Sequence, residues 1–405
     1  MSETNMGSLA NAKYTCVRLS PLGPFHFGKR GVGLNETEIA MPADGFFSAL
    51  CNGIHELEGR KAVKRFLEQF PTADQPERLP PLRITSLMPY MSNQRKSVGN
   101  GELTAAQINS LQSGETGSEE AYTYLLPMPL MHIPISGNAI ANRKRIKSIQ
   151  WVSRSVFEHL ISGQTVDGNK SLLEDAHNEK EAGPRTVENG NVWLTEAEYA
   201  QTEGRMTRLW AVSIRPRVAV DRVTSASAVY SSGSVRFQEG CGLYFYIQWE
   251  PSADIDLRHS ILTAIAYLGD AGIGGERTYG YGHFTPHFEH YDSSPIQQPA
   301  TANYVTTLAP FLPQTRERVM FQDEQSRYEI ILRRGWLTLP GYNNLRRPTV
   351  RMVDSGAILA RANVAQPTGY LADATPAKLI DSEYTIHRYG ICWSIPIVLP
   401  LESNS

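Results

Sequence analysis

The sequence predicts an α+β protein with a ferredoxin-like, RRM-like arrangement over residues 13–290 and a smaller sheet domain over 303–405. Three observations carry this. Two apolar helical stripes are separated by strand-like runs, in the order strand, helix, strands, helix, strand. Leu243–Trp249 (LYFYIQW) alternates Leu243, Phe245, Ile247 and Trp249 against Tyr244, Tyr246 and Gln248, as a half-buried strand does. And 405 residues exceed one typical domain, so a second one is expected.

The elements follow in order. Residues 1–12 are a polar tail without a basic-then-apolar signal pattern. Tyr14–Ser20 forms a first strand, with Val17 and Leu19 on one face and Cys16 and Arg18 on the other, and Pro21-Leu22-Gly23-Pro24 stops it. Phe25-His26-Phe27-Gly28 follows, then a flexible Lys29–Gly33. A helix begins near Pro42–Asp44, with Asp44 placed to cap its first turn, and Phe46, Phe47, Leu50, Ile54 and Leu57 share one stripe before Gly59 ends it. A shorter amphipathic helix spans Lys61–Phe70.

Two insertions read as loops or disorder: polar 92–120, and acidic 162–204, which has nine Asp/Glu against three Lys/Arg and is expected to hold only short helical pieces. Between them Asn142–Arg154 carries five Lys/Arg and no acid, led by Arg143 and Lys144. Ile214–Phe237 sets Arg215, Arg217, Arg222 and Arg236 against the single acid Asp221, around a Ser/Gly turn, which predicts a long protruding β-hairpin with a basic surface. Ile255–Leu268 is a helix stopped by Gly269, His283–His290 a returning strand, and 291–302 a linker. The remaining residues hold strand-like runs at Tyr328–Leu332, Trp336–Leu339 and Trp393–Val398.

The formal net charge of −2 requires any nucleic-acid surface to arise from local clusters. No apolar run approaches the ~20 residues of a membrane span, and the chain reads as cytoplasmic with no membrane partner. Cys16, Cys51, Cys241 and Cys392 form no CxxC pair, so buried thiols are expected in place of zinc ligands or a disulfide framework. No metal or cofactor is expected.

The candidate site is the turn after the second long helix, GDAGIGGERTYGYGHF, with six glycines in sixteen residues. Glycines admit positive φ and close approach of a ligand to backbone N–H groups, which suits phosphodiesters. Arg277 adds a bidentate cation, and Tyr279, Tyr281 and His283 offer stacking faces. Walker A lacks its lysine here, and the Rossmann fingerprint requires a strand before the glycines. The residues expected to touch RNA are Gly272, Ile273, Gly274, Gly275, Glu276, Arg277, Thr278, Tyr279 and Gly280, with His26, Phe27, Gly28, Lys29 and Arg30 beside them. Arg143, Lys144, Arg217, Arg222 and Arg236 would complete a basic groove. No catalytic residue is assigned. His26 is the one candidate general acid or base for metal-independent RNA cleavage.

Phe25-His26-Phe27-Gly28, the helix start MPADGFFSAL (Met41–Leu50), the loop GIGGERTYGYG (Gly272–Gly282) and His387-Arg388-Tyr389-Gly390 together resemble the RAMP superfamily of CRISPR effector proteins. More specifically they resemble subunit four of the type III-A Csm complex. The resemblance implies two RRM-like domains in tandem and a non-catalytic role. It implies a chain that holds the 5′ tag of the crRNA between the large polymerase-type subunit and a RAMP backbone subunit. It places Gly272–Gly280 in the tag groove, His26–Gly28 beside it, and Arg217–Arg236 in a thumb-like hairpin at the tag–spacer junction. A 5′-capping subunit of a Cmr or subtype III-D complex, and a RAMP-type endoribonuclease processing repeat RNA, remain alternatives.

Overall fold

The computed structural model describes residues 12–28, 36–93, 122–133, 139–166, 169–173, 183–202, 208–220, 227–339, 342–361, 366–379 and 385–400, together with Leu9 and Val364. Its frame is a mixed α/β arrangement: one large sheet, with nine strands among the described residues, and several small ones. Six elements build the frame: β1 (Tyr14–Pro21), α1 (Ala43–Glu58), β2 (Met88–Ser92), β3 (Cys241–Trp249), α2 (Ile255–Ala271) and β4 (Phe284–Tyr291). In the sheet they run β4-β1-β3-β2, all antiparallel, and Leu82–Ile84 also pairs with β3. β1 is thus central, and its Arg18 is buried between an ion pair to Glu289 (2.9 Å) and the ring of Tyr122 (3.8 Å).

The apolar stripe of α1 packs on the sheet through Phe46, which meets Phe245 at 4.5 Å, and buries Phe47, Leu50 and Ile54, with Phe47 set against the rings of Phe66 and Phe70. Burying each such side chain contributes about 1.5–3 kcal/mol. Leu57 points outward, 44 % exposed, because the stripe has turned off the sheet by the last turn. Gly59 ends the helix at φ 81°, a left-handed position that favours glycine. Asp44 does not cap the helix. The N-cap is Pro42 without a side-chain bond, and the Asp44 carboxylate is committed elsewhere. In α2 the expected stop also moves: Gly269 lies inside the helix, where a Cβ would fall 2.6 Å from the Phe284 carbonyl, and the chain turns at Gly272.

β3 is buried on both faces, not on one. Tyr244 donates its hydroxyl to the Leu125 carbonyl, and Tyr246 meets Trp393 of the C-terminal half at 6.2 Å. The acidic insertion holds the expected short helix but also contributes strands. Its residues Thr186–Val187 and Val192–Trp193 extend the sheet beyond Tyr122–Pro127 and Trp151–Ser153, and Glu196–Gln201 is a short helix with a complete capping box. Buried Val187, Val192, Trp193 and Leu194 explain why it folds despite its acidity. The expected loop 92–120 lies almost wholly outside the described residues.

Beyond Tyr291 the chain is not a free tether. Ile296 is buried, and the helix Arg154–Ile161 holds the Pro295 carbonyl through Arg154 and the Gln297 N–H through Glu158. The C-terminal half sets Tyr304–Thr307 between Ile358–Ala360 and Ser394–Ile397 and adds the strand pairs Ile330–Arg333 with Val350–Val353 and Trp336–Leu339 with Tyr342–Arg346. Among its described residues there are 3-10 turns but no α-helix. The two halves are locked at the start of α1. Arg388 reaches Asp44 at 2.6 Å, and Arg333 reaches both carboxylate oxygens at 3.0 Å. Arg347 donates to Ser48, and Tyr389 packs on Phe47 at 4.6 Å while accepting from the Ile84 N–H.

The described residues hold no helix long and apolar enough to cross a membrane. All four cysteines are free thiols, with Cys51 half-buried and the others buried; burial pushes Cys51 and Cys241 up to about 12.

Candidate nucleic-acid interface

The glycine-rich turn is seated on the Phe25–Gly28 segment by main-chain contacts. Gly272, at φ 77°, caps α2 by donating to Leu268, and the Ile273 N–H closes the neck of the loop on the Gly282 carbonyl. Gly275 donates to the His26 carbonyl and Gly282 to that of Pro24, each at 2.9 Å. A Cβ at Gly274 would fall 2.4 Å from the His26 oxygen, at Gly275 2.7 Å from the His26 ring, and at Gly282 2.1 Å from the Ile273 oxygen. These glycines are therefore required by close backbone packing. Gly280 differs, since it has φ 77° but open space around its missing Cβ.

The expected site residues accordingly divide in two. His26, Phe27 and Ile273 are buried and brace the loop from beneath. Arg277, Thr278, Tyr279 and Gly280 form an exposed tip, with Tyr279 61 % accessible. His26 Nδ1 lies 2.8 Å from the Gly233 carbonyl, so it carries the proton and donates there.

Gly233 belongs to the hairpin of Trp210–Val220 and Ser227–Phe237, which pair in unbroken register from Trp210↔Phe237 to Val220↔Ser227. The root of the hairpin is stitched to the loop's floor by paired bonds between Phe25 and Val235, both 2.8 Å. One arginine ties the arm to the loop itself. Arg217 pairs with Glu276 at 3.1 Å, donates to the Tyr281 hydroxyl at 3.2 Å, and lies 4.1 Å from the Tyr279 ring centroid. Burial works against its charge, but the Tyr281 hydrogen bond and the Glu276 carboxylate outweigh it and hold the guanidinium above the usual arginine value. Arg217 thus fixes the platform, where the sequence placed it among the RNA contacts.

Alternation gives the hairpin two unlike faces. Val212, Ile214, Pro216, Val218 and Val220 share one, with Val229 beside Val218, and the valines and Ile214 are all more than half exposed. The other carries Arg215, Arg217 and Tyr230, together with exposed Arg236. Lys29, Arg30 and Arg222 lie outside the described residues. Arg143 and Lys144 are exposed on the helix Ala139–Ser148, which leads into Trp151–Ser153, four strand positions or about 19 Å across the sheet from β1. The structure does not bring those two residues to the loop.

Sequence reasoning missed a second basic cluster. Residues 330–353 contain five arginines and no Asp, Glu or Lys, a signal available from composition alone. Arg333 and Arg347 turn inward to the start of α1. Burial, with Arg388 beside it, pulls Arg347 down to about 10.

Residues 300–397 match the model of the CRISPR Csm4 C-terminal domain. The CRISPR system Cms protein Csm4 of Thermococcus onnurineus (strain NA1) is 25% identical over 397 residues, covering 96% of this chain and 98% of that protein. The protein of the same name from Mycobacterium tuberculosis (strain CDC 1551 / Oshkosh) is 21% identical over 338 residues, covering 83% and 85%. Among solved structures, a chain of the Csm3-Csm4 subcomplex in the type III-A CRISPR-Cas interference complex superposes with a TM-score of 0.57 at 16% identity, over 95% of this chain and 99% of that one.

Proposed function

Starting from a chain that belongs to the Csm4 family of type III-A CRISPR complexes, we propose that it grips the 5′ tag of the crRNA and caps that end of the assembly. The observation that carries this reading is the tip Arg277–Gly280. It holds an exposed ring and a guanidinium on a turn immobilised by Arg217 and by the main chain of Pro24 and His26. A rigid aromatic and cationic platform matches how single-stranded RNA is held without base pairing. The arm beside it acts as the thumb, its basic face along the phosphates and its aliphatic face against bases at the tag–spacer junction. The antiparallel order β4-β1-β3-β2, with α1 and α2 between its strands, supports a ferredoxin-like first domain, on which such a platform is built. The expected neighbours are a RAMP backbone subunit, as Csm4 has in the Csm3-Csm4 subcomplex, and the large polymerase-type subunit.

RNA extracted from the natively purified assembly should share one 5′ sequence. Tyr279→Ala should lower tag affinity at least about fivefold, the loss of one stacked base. An assembly free of RNA, or unchanged affinity, would sink the reading. A repeat-processing endoribonuclease using His26 is disfavoured by the burial of that ring and its bond to Gly233. Incubating the isolated chain with repeat RNA decides the point: cleavage lost in His26→Ala would favour the nuclease.

A further inference from the structure

The arginine-rich stretch 330–353 is left over once the loop and arm have been assigned. Within it, Trp336–Leu339 and Tyr342–Arg346 form a hairpin with one anchored face and one free face. Leu337 and Leu345 stand opposite each other and are buried together with Leu379. Trp336 and Arg346 also stand opposite each other, on the other face, with the guanidinium 4.2 Å from the ring centroid and Trp336 58 % exposed. Arg334 precedes the hairpin and Arg351 follows it. Both are exposed, and no carboxylate pairs with Arg334, Arg346 or Arg351 among the described residues.

Its position follows from the helices. A Cβ at Gly53 of α1 would fall 3.2–3.4 Å from Ala264 and Leu268 of α2, and Glu58 takes a hydrogen bond from Ser260, so the two helices run antiparallel. The start of α1 therefore lies at the same end of the molecule as the glycine-rich turn that follows α2. Arg333, next to Arg334, binds Asp44 at that start. The hairpin and the turn thus share one end of the fold.

We propose that this hairpin is a second RNA-contacting surface, stacking a nucleobase on Trp336 and pairing backbone phosphates with Arg334, Arg346 and Arg351. The proposal rests on the RNA-binding reading above and extends it to the C-terminal half. Charge selects the ligand: three guanidiniums without carboxylate partners, carried on and beside a hairpin that exposes an indole, suit a polyanion with planar bases.

The test uses the full-length chain and a 3′-fluorescein single-stranded RNA that begins with the tag of the cognate repeat, titrated by anisotropy over a salt series. Replacing Arg334, Arg346 and Arg351 together by Gln should lower the slope of log K against log salt by about 2, at ~0.7 per phosphate contact. Trp336→Ala should weaken binding at least about fivefold, and Trp336→Phe should restore most of it. The triple Lys variant, which keeps the charge, should retain the wild-type slope, so a folding defect is distinguishable from lost contacts. Arg277→Ala with Tyr279→Ala in the glycine-rich turn serves as the reference. If that variant loses affinity while the hairpin variants bind as wild type, this proposal falls and the tag-grip reading stands. If neither set changes binding, the RNA reading itself falls. Hairpin variants with intact RNA affinity that no longer copurify the large subunit would make this face a protein interface, and would also overturn the proposal.

Discussion

Two glycines in the same loop provide a controlled test of why the loop has its shape. Gly274 and Gly280 both sit at positive φ, 85° and 77°, so alanine at either position incurs the left-handed penalty of about 1–2 kcal/mol. Only at Gly274 does the methyl meet anything, 2.4 Å from the His26 oxygen and 3.1 Å from the Phe27 ring. Relieving that overlap costs a further ~1–3 kcal/mol, and lifting the loop breaks the Gly275–His26 hydrogen bond, worth about 1 kcal/mol. Gly274→Ala should therefore destabilise by roughly 3–6 kcal/mol and Gly280→Ala by roughly 1–2. Urea unfolding of the full-length variants, followed by far-UV circular dichroism and by hydrogen exchange at the Gly275 and Gly282 amides, reads both. Protection of the Gly275 and Gly282 amides should collapse in the first variant and persist in the second. Equal destabilisation by the two alanines would refute the argument that backbone contact, and not conformational freedom alone, selects glycine at Gly274.

Further expectations concern the junction, the arm and acid. Asp44→Asn strips the carboxylate from buried Arg388 and Arg333 and should cost about 3–5 kcal/mol in the same unfolding assay; a loss under 1 kcal/mol would show that the junction tolerates bare guanidiniums. Glu276→Ala removes the acid from Arg217 and should raise exchange of the arm's amides near Arg217 and Tyr230 without moving the melting temperature of the whole chain. Burial lowers the ring pKa of His287, His290 and His387 below the ordinary 6.5, Arg18 also contributing at His287 and Arg258 at His290. The unfolded chain then binds more protons below pH 6.5, so stability is full above that pH and declines on acidification. His387→Gln should flatten a melting-temperature profile between pH 7 and 5.5, and an unchanged slope would exclude that ring as a contributor.

Local patterns were legible wherever one element determines its own form. The stripe Phe46, Phe47, Leu50, Ile54, the first strand (expected over Tyr14–Ser20, found over Tyr14–Pro21) and the long hairpin all follow from period and turn chemistry. What failed depends on distant partners. Tyr244 and Tyr246 looked solvent-facing because alternation cannot show that Tyr124, Leu125 and Trp393 cover them. Asp44 had the residue type and position of a cap, yet arginines about 300 residues away claim it. The glycines read as a ligand cradle, whereas Gly272, Gly274, Gly275 and Gly282 are explained by their own chain. In the acidic insertion, average charge concealed Val187, Val192 and Trp193, which suffice to add strands. At the site, the tip Arg277–Gly280 was legible and the tying role of Arg217 was not, because the pairing with Glu276 exists only once the arm folds back.

The bond from Arg388 to Asp44 closes a loop of 344 residues. A ribosome adding about 5–20 residues per second would take roughly 20–70 s to make the second partner after the first. Throughout that interval the start of α1 carries a carboxylate without its arginines, and β1 must wait for β3 and β4 to be synthesised before either of its edges is filled. Nascent chains of this protein should therefore stay dependent on chaperones until Arg388 has been made. A message truncated before Arg388 should yield insoluble product even though the sheet, the loop and the arm are all encoded upstream.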